Sequence, residues 1–212
     1  MHSTRKSANR VRMTHPLPSF YNDLDQTLTH AWAQLARGVS DRRCAFHTPT
    51  LATMGLDGAP KMRTVVLRAC DVANRLFRVH TDIRTAKVSE IEHNPVASLH
   101  AYDVGQKFQV RVAGTAVLHK GDLLAKTAWA LSQPMSRAGY AQEPGPGRLL
   151  ADPKTIPQLP AIDDGKVIGF ENFGIILIAV QSIECLYLGH QGHRRARFAW
   201  EDGALRATWL AP

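Results

Sequence analysis

No stretch of this sequence reaches the ~20 apolar residues that a bilayer-crossing helix needs, so a helical membrane span is not expected. The opening stretch from Met1 to Thr14 is basic but lacks the apolar segment of a secretory leader. Cysteine is scarce. Cys44, Cys70 and Cys185 are odd in number and far apart, which argues against a disulfide framework or a closed zinc site and suits a reducing cytoplasm. The ten histidines form no HxH or HxxxH pair, so no metal site is expected. Neither common nucleotide cradle, GxGxxG after a strand or GxxxxGKS/T, is present, and the nucleophile elbow GxSxG is absent too. The order also lacks the strand–helix alternation of a doubly wound sheet. An enzyme built this way would draw its reactivity from a cofactor.

What is present is an ordinary soluble composition, with 44% apolar and 21% charged residues among 212, enough for one domain with a substantial core. The net charge is +8, of which Arg5, Lys6, Arg10 and Arg12 supply four, leaving +4 over the remaining 198 residues. The arginines are scattered and no nucleic-acid signature accompanies them, so small anionic ligands fit better than nucleic acid.

Residues 1–17 read as a disordered basic arm and residues 18–212 as one domain. Phe20, Leu24, Leu28, Ala31, Trp32 and Leu35 recur at three- and four-residue steps and predict a helix, with Gly38 placed to end it as a left-handed cap. Thr48 to Leu56, the Asp57-Gly58 turn and Lys61 to Cys70 predict a hairpin. A strand over Leu76 to Thr81 follows, then a short helix closed by Asn94-Pro95. Val96 to Tyr102 and Phe108 to His119 read as strands, and Phe108, Val110 and Val112 alternate with Gln109 and Arg111. A helix from Asp122 to about Ser132 precedes a proline-rich loop, 134–160. Gly174 to Ser182, Glu184 to Leu188, His193 to Trp200 and Leu205 to Leu210 close the chain as strands. The expected fold is mostly β (α+β), an antiparallel barrel with peripheral helices.

The candidate site residues lie between Arg63 and Gly114. Arg63, Arg68, Thr85 and Lys87 suit a phosphate, because guanidinium forks, an ammonium and the free N–H groups of a helix start all favour an anion. Gln109 offers a donor and an acceptor to a heterocycle edge. On composition alone the same cations read better as solvated surface, because exposed Arg and Lys are common on any β surface.

The pieces R-T-V-V-L-R at 63–68, H-T-D-x-x-T-x-K at 80–87, E-H-N-P at 92–95 and Q-V-R-V-x-G at 109–114 occur in order. Together they resemble the pyridoxine (pyridoxamine) 5′-phosphate oxidase family and its FMN-binding relatives. The match covers Leu51 to Gly114 well and Glu184 to Pro212 loosely, through Arg197-Phe198 and the final Trp209-Leu210-Ala211-Pro212. The resemblance implies a split β-barrel homodimer with FMN at the subunit interface. It implies that Arg63, Thr85 and Lys87 hold the FMN phosphate. Thr64, Val65, Val66, Leu67, Arg68, His80, Thr81 and Gln109 would line the rest of the cofactor, with Tyr187 and Arg197 reaching it from the C-terminal strands. For substrate it implies Arg68, Arg137, His193 and Arg195. The family's R-x-H pair stands here as His193 and Arg195 in exchanged order, its lysine after V-L-L is Arg68, and the arginine before the phosphate lysine is Ala86. The expected function is therefore an FMN-dependent oxidoreductase with substrate unassigned. The alternatives are genuine pyridoxamine phosphate oxidation and a non-catalytic flavin carrier.

Overall fold

The structure is a computed structural model that describes residues 16–157 and 168–212. The arm expected at 1–17 and the end of the proline-rich loop therefore fall largely outside the described residues. Among those described, no helix is long and apolar enough to cross a membrane.

Helix α1, Leu24–Ser40, starts where the Asp23 carboxylate accepts the Gln26 N–H at 2.9 Å and the Gln26 side-chain amide at 3.0 Å. Its buried stripe of Thr27, Ala31, Trp32, Leu35 and Gly38 lies against the sheet. Gly38 does not end the helix. It stays helical, and a Cβ there would stand 2.5 Å from the Phe46 carbonyl oxygen. The missing side chain serves a close approach of backbone to backbone, not a left-handed cap.

The sheet runs β2 (Pro60–Thr64), β1 (Thr50–Met54), β5 (Val96–Asp103), β6 (Phe108–Lys120), β7 (Phe173–Tyr187), β4 (Leu76–Asp82), β3 (Leu67–Asp71), with β8 (Arg194–Glu201) on β7 and β9 (Ala204–Leu210) on β8. The hairpin is β1, Thr50–Met54, and β2, Pro60–Thr64, turning through Gly58 at φ +76°. The return run is not one strand. It breaks at Val65-Val66, and β3, Leu67–Asp71, leaves β1 to pair with β4, Leu76–Asp82. One apolar run thus serves both ends of the sheet, and the sheet stays unclosed, a split barrel rather than a sealed one.

Helix α2, Ala86–His93, stops at Asn94-Pro95 as expected. β5, Val96–Asp103, and β6, Phe108–Lys120, follow. The C-terminal run from Gly174 to Leu188 is one strand, β7, Phe173–Tyr187. It continues because a bulge absorbs Gln181: Ala113 pairs with Ser182 and Gly114 with Val180. Gly114 is needed there, since a Cβ would fall 2.1 Å from the Ala179 oxygen. β7 pairs with β4 through its first half and with β8, Arg194–Glu201, through its second. β9, Ala204–Leu210, completes the sheet.

The main core lies between the inner sheet face and α1, around Phe46, Leu51, Phe77, Phe108, Val110 and Phe198. A smaller cluster of Trp129, Phe173 and Ile175 sits under helix α3, Leu123–Ala130. Within the proline-rich loop, helix α4, Pro134–Ala138, comes first, and a 3-10 turn follows at Gly139–Ala141.

Candidate functional site

Arg63 points inward from β2, because alternate residues of a strand share a face. Its guanidinium donates to the Glu90 carboxylate at 2.7 Å and to the Thr53 hydroxyl. Thr53 also donates to Glu90 at 2.5 Å. Both are nearly sealed from solvent, so the arginine is held from behind.

Lys87 is one turn before Glu90 on α2. Its ammonium donates to the Thr85 hydroxyl at 2.9 Å and the Thr81 hydroxyl at 3.3 Å, and no carboxylate accepts from it among the described residues. Burial, then the nearby Arg63 guanidinium, lowers its pKa from the ordinary lysine value. Thr85 is the residue before α2, and its hydroxyl donates to the Asp82 carbonyl, leaving the first-turn N–H groups without a side-chain cap. The structure therefore brings Arg63, Thr81, Thr85 and Lys87 into one cradle. Its two cations, hydroxyls and helix start fit a phosphate group such as that of FMN.

His80 stands on the other face of β4. Beside it is a cavity of about 170 Å³ lined by Arg42, Arg68, Arg78, His80, Ser136 and Tyr140, among others. None of the three guanidiniums meets a carboxylate among the described residues. Burial, then Arg68 and Arg78, push the His80 imidazole down to about 4. Burial pushes the Tyr140 phenol up to about 12. Arg68 and His80, expected to line the cofactor, thus belong with an arginine cavity on the opposite side of the strand from Thr81.

Gln109 lies on the open face of β6, opposite Tyr102 on β5 and Leu186 on β7. Arg195 and Arg197 project from the same face on β8, and Arg195 donates to Glu184 at 2.9–3.0 Å. Tyr187 does not join them. The strand's alternation turns it inward, where its ring packs edge-on against Phe20 and Tyr21 at 5.5 and 5.9 Å. His193 and Arg195 border a separate cavity with Trp209 and Leu210. Arg137 is also spoken for: it donates to the Ala130 carbonyl at 2.7 Å and stacks on Trp129, closing α3. Thr64 is exposed, while Val65 and Leu67 are buried at the strand break.

Sequence reading overlooked Thr53, Glu90, Arg42 and Arg78. Two carried a usable signal: Arg78 shares the period-two face of His80, and Glu90 lies three residues from Lys87 on a helix. Thr53 and Arg42 come from distant segments and had none. Among the described residues no cluster of His, Cys, Asp or Glu is placed to hold a metal.

Residues 29–120 match the family model described as pyridoxamine 5′-phosphate oxidase, FMN-binding domain. Pyridoxine/pyridoxamine 5′-phosphate oxidase 2 of Arabidopsis thaliana is 36% identical over 84 residues, which are 37% of this chain and 42% of that protein. The pyridoxine/pyridoxamine 5′-phosphate oxidase of Teredinibacter turnerae is 35% identical over 96 residues, 45% of this chain and 43% of that protein. The match thus spans less than half the length of either relative. Two solved structures share the fold. A pyridoxamine 5′-phosphate oxidase-related, FMN-binding protein of Nostoc punctiforme superposes with a TM-score of 0.66 at 22% identity, covering 92% of this chain and 98% of its own. PhzG from Burkholderia lata, in complex with tetrahydrophenazine-1-carboxylic acid, gives 0.69 at 20% identity, with 93% and 98% covered. With the motifs between Arg63 and Gly114 set on a split barrel of this kind, residues 29–120 are similar to the FMN-binding domain of pyridoxamine 5′-phosphate oxidases, and the fold is that of their FMN-binding relatives.

Proposed function

We propose that the protein is an FMN-dependent oxidoreductase that acts, as a homodimer, on a small anionic substrate. The observation that carries this reading is Lys87, a half-buried ammonium with only hydroxyl partners beside a second cation. Bound FMN supplies two-electron redox chemistry at its ring. The chain's own residues do the rest. Glu90 and Thr53 hold the Arg63 fork in place, and Lys87 adds a point charge for the phosphate. Gln109 presents an amide that donates and accepts. Arg42, Arg68 and Arg78 draw a substrate anion into the cavity beside His80. With its pKa near 4, that imidazole is neutral at pH 7 and serves as a hydrogen-bond partner, not as a cation.

Titration of the flavin-free protein with FMN, followed by quenching of flavin fluorescence, tests the cradle. A charge-assisted hydrogen bond contributes ~1.5–3 kcal/mol, so Lys87→Met should weaken binding by at least roughly tenfold. An unchanged affinity would remove Lys87 from the site, and no quenching with the wild-type chain would end the FMN reading. The relatives' names favour a narrower second reading, oxidation of pyridoxamine phosphate itself. Incubation with that compound under air decides it: absence of pyridoxal phosphate excludes this substrate and leaves the broader reading standing.

A further inference from the structure

Arg84 immediately precedes the cradle, yet its side chain turns away from it. Nε and Nη2 grip the Asp82 carboxylate at 3.0 and 2.7 Å, while Nη1 donates to Glu143 Oε1 at 2.6 Å. Nη2 also donates to the Tyr140 and Gln142 carbonyls at 3.2 and 3.1 Å. One guanidinium thus ties the end of β4 to a segment more than fifty residues away. The chain then crosses directly over it: a Cβ on Gly145 would lie 3.1 Å from the Arg84 side chain. From the other side, Asn172 Nδ2 donates to the same Tyr140 carbonyl at 2.9 Å. Gly169, at φ +95°, lets its backbone pass Ala141, where a Cβ would fall 2.7 Å from that residue's nitrogen. The strap 140–145 is therefore fastened at two points. What it delivers is Tyr140, whose ring sits 5.1 Å from Phe173 and 5.8 Å from Trp129 and whose residue lines the arginine cavity.

We propose that Arg84 is a positioning residue: it latches the strap 140–145 so that Tyr140 forms one wall of the arginine-lined cavity and opens it when released. The latch is mainly electrostatic. A planar fork shared between two carboxylates and two carbonyls is something arginine makes and lysine does not. Glu143 is largely exposed, so its arm of the latch is open to screening by salt. The proposal concerns the strap and stands whether or not the cradle takes FMN.

Hydrogen exchange of the full-length protein, read by mass spectrometry over residues 139–147, tests it. Arg84→Gln should speed exchange there by roughly tenfold or more, as expected for a locally released segment, while α2 exchanges as in the wild type. Arg84→Lys should recover only part of the protection. One molar salt should accelerate the wild-type strap and leave Arg84→Gln unchanged. Nitration by tetranitromethane should reach Tyr140 faster in the variant, with buried Tyr21 as the reference. Wild-type exchange and nitration rates in Arg84→Gln would overturn the latch. If Arg84→Gln does not fold, Glu143→Gln, a change at an exposed side chain, takes its place: faster strap exchange supports the latch, and no change refutes it. These readouts contain no flavin, so they fail or succeed independently of the proposed activity.

Discussion

His80 shows how one residue reports the charge around it. The groups facing its ring are the Arg42, Arg68 and Arg78 guanidiniums and the Tyr140 phenol, with no carboxylate among the cavity's lining residues. Burial and these cations lower its pKa from 6.5 to about 4 in the folded chain. The unfolded chain therefore binds the proton first. Stability from this group is complete above pH 6.5, declines as the pH falls toward 4, and levels once the folded ring protonates. A shift of this size corresponds to at most about 3 kcal/mol. Urea midpoints measured from pH 7 to pH 4 should fall in the wild type, and His80→Asn should flatten that part of the curve. A polyanion that fills the cavity, pyrophosphate for instance, should shrink the decline by raising the folded pKa toward the unfolded value. An identical pH profile for His80→Asn would show that the imidazole is not held neutral.

At the scale of the element, helix α1 depends on Gly38 for its seat. The Phe46 carbonyl lies where a Cβ would project, and it belongs to backbone that cannot retreat without moving the 3-10 turn at Ala45–His47. Overpacking of this kind typically costs ~1–3 kcal/mol, which outweighs alanine's better helix propensity of about 1 kcal/mol. Gly38→Ala should therefore lower the urea midpoint, whereas a glycine that merely capped the helix in a left-handed turn would be strained for another reason. Strand and helix periods were legible in the sequence because each element has one dry face, as in β6, where Phe108, Val110 and Val112 alternate with Gln109 and Arg111. What was not legible was partner choice. Nothing in Arg63-Thr64-Val65-Val66-Leu67-Arg68 shows that the run changes neighbours at Val65, since apolar β-branched residues suit either sheet end. The same limit applies to sidedness across the site. Thr81 and Lys87 lie side by side in the fold, but His80 and Tyr187 follow the period-two rule to the opposite faces of their strands.

For the whole molecule, the open face of the sheet around Met62, Val96 and Val117 is the feature that the described residues leave uncovered. Register aligns Thr64, Thr50, His100, Arg111, Glu184, Arg197 and Thr208 in one row across seven strands. Gln109 lies on this face one step along β6, and Met62, Val96 and Val117 stand on it with 73%, 62% and 52% of their surface exposed. Single exposed apolar side chains are ordinary, but several on one flat sheet face mark a contact surface. A second copy of this chain suits it, because the face carries both signs of charge, with Glu184 between Arg111 and Arg195, and can be its own complement about a two-fold axis. Sedimentation should then give about twice the 23.4 kDa of one chain. A stable interface of roughly 1,600 Å² does not tolerate a buried unpaired carboxylate at its centre. Met62→Asp with Val96→Asp should therefore yield monomers with the urea stability of one folded subunit. If the cofactor lies between subunits, the same double variant should also lose FMN affinity although Arg63, Thr85 and Lys87 are untouched. Monomers that bind FMN as tightly as the wild type would confine the whole cofactor site to one chain.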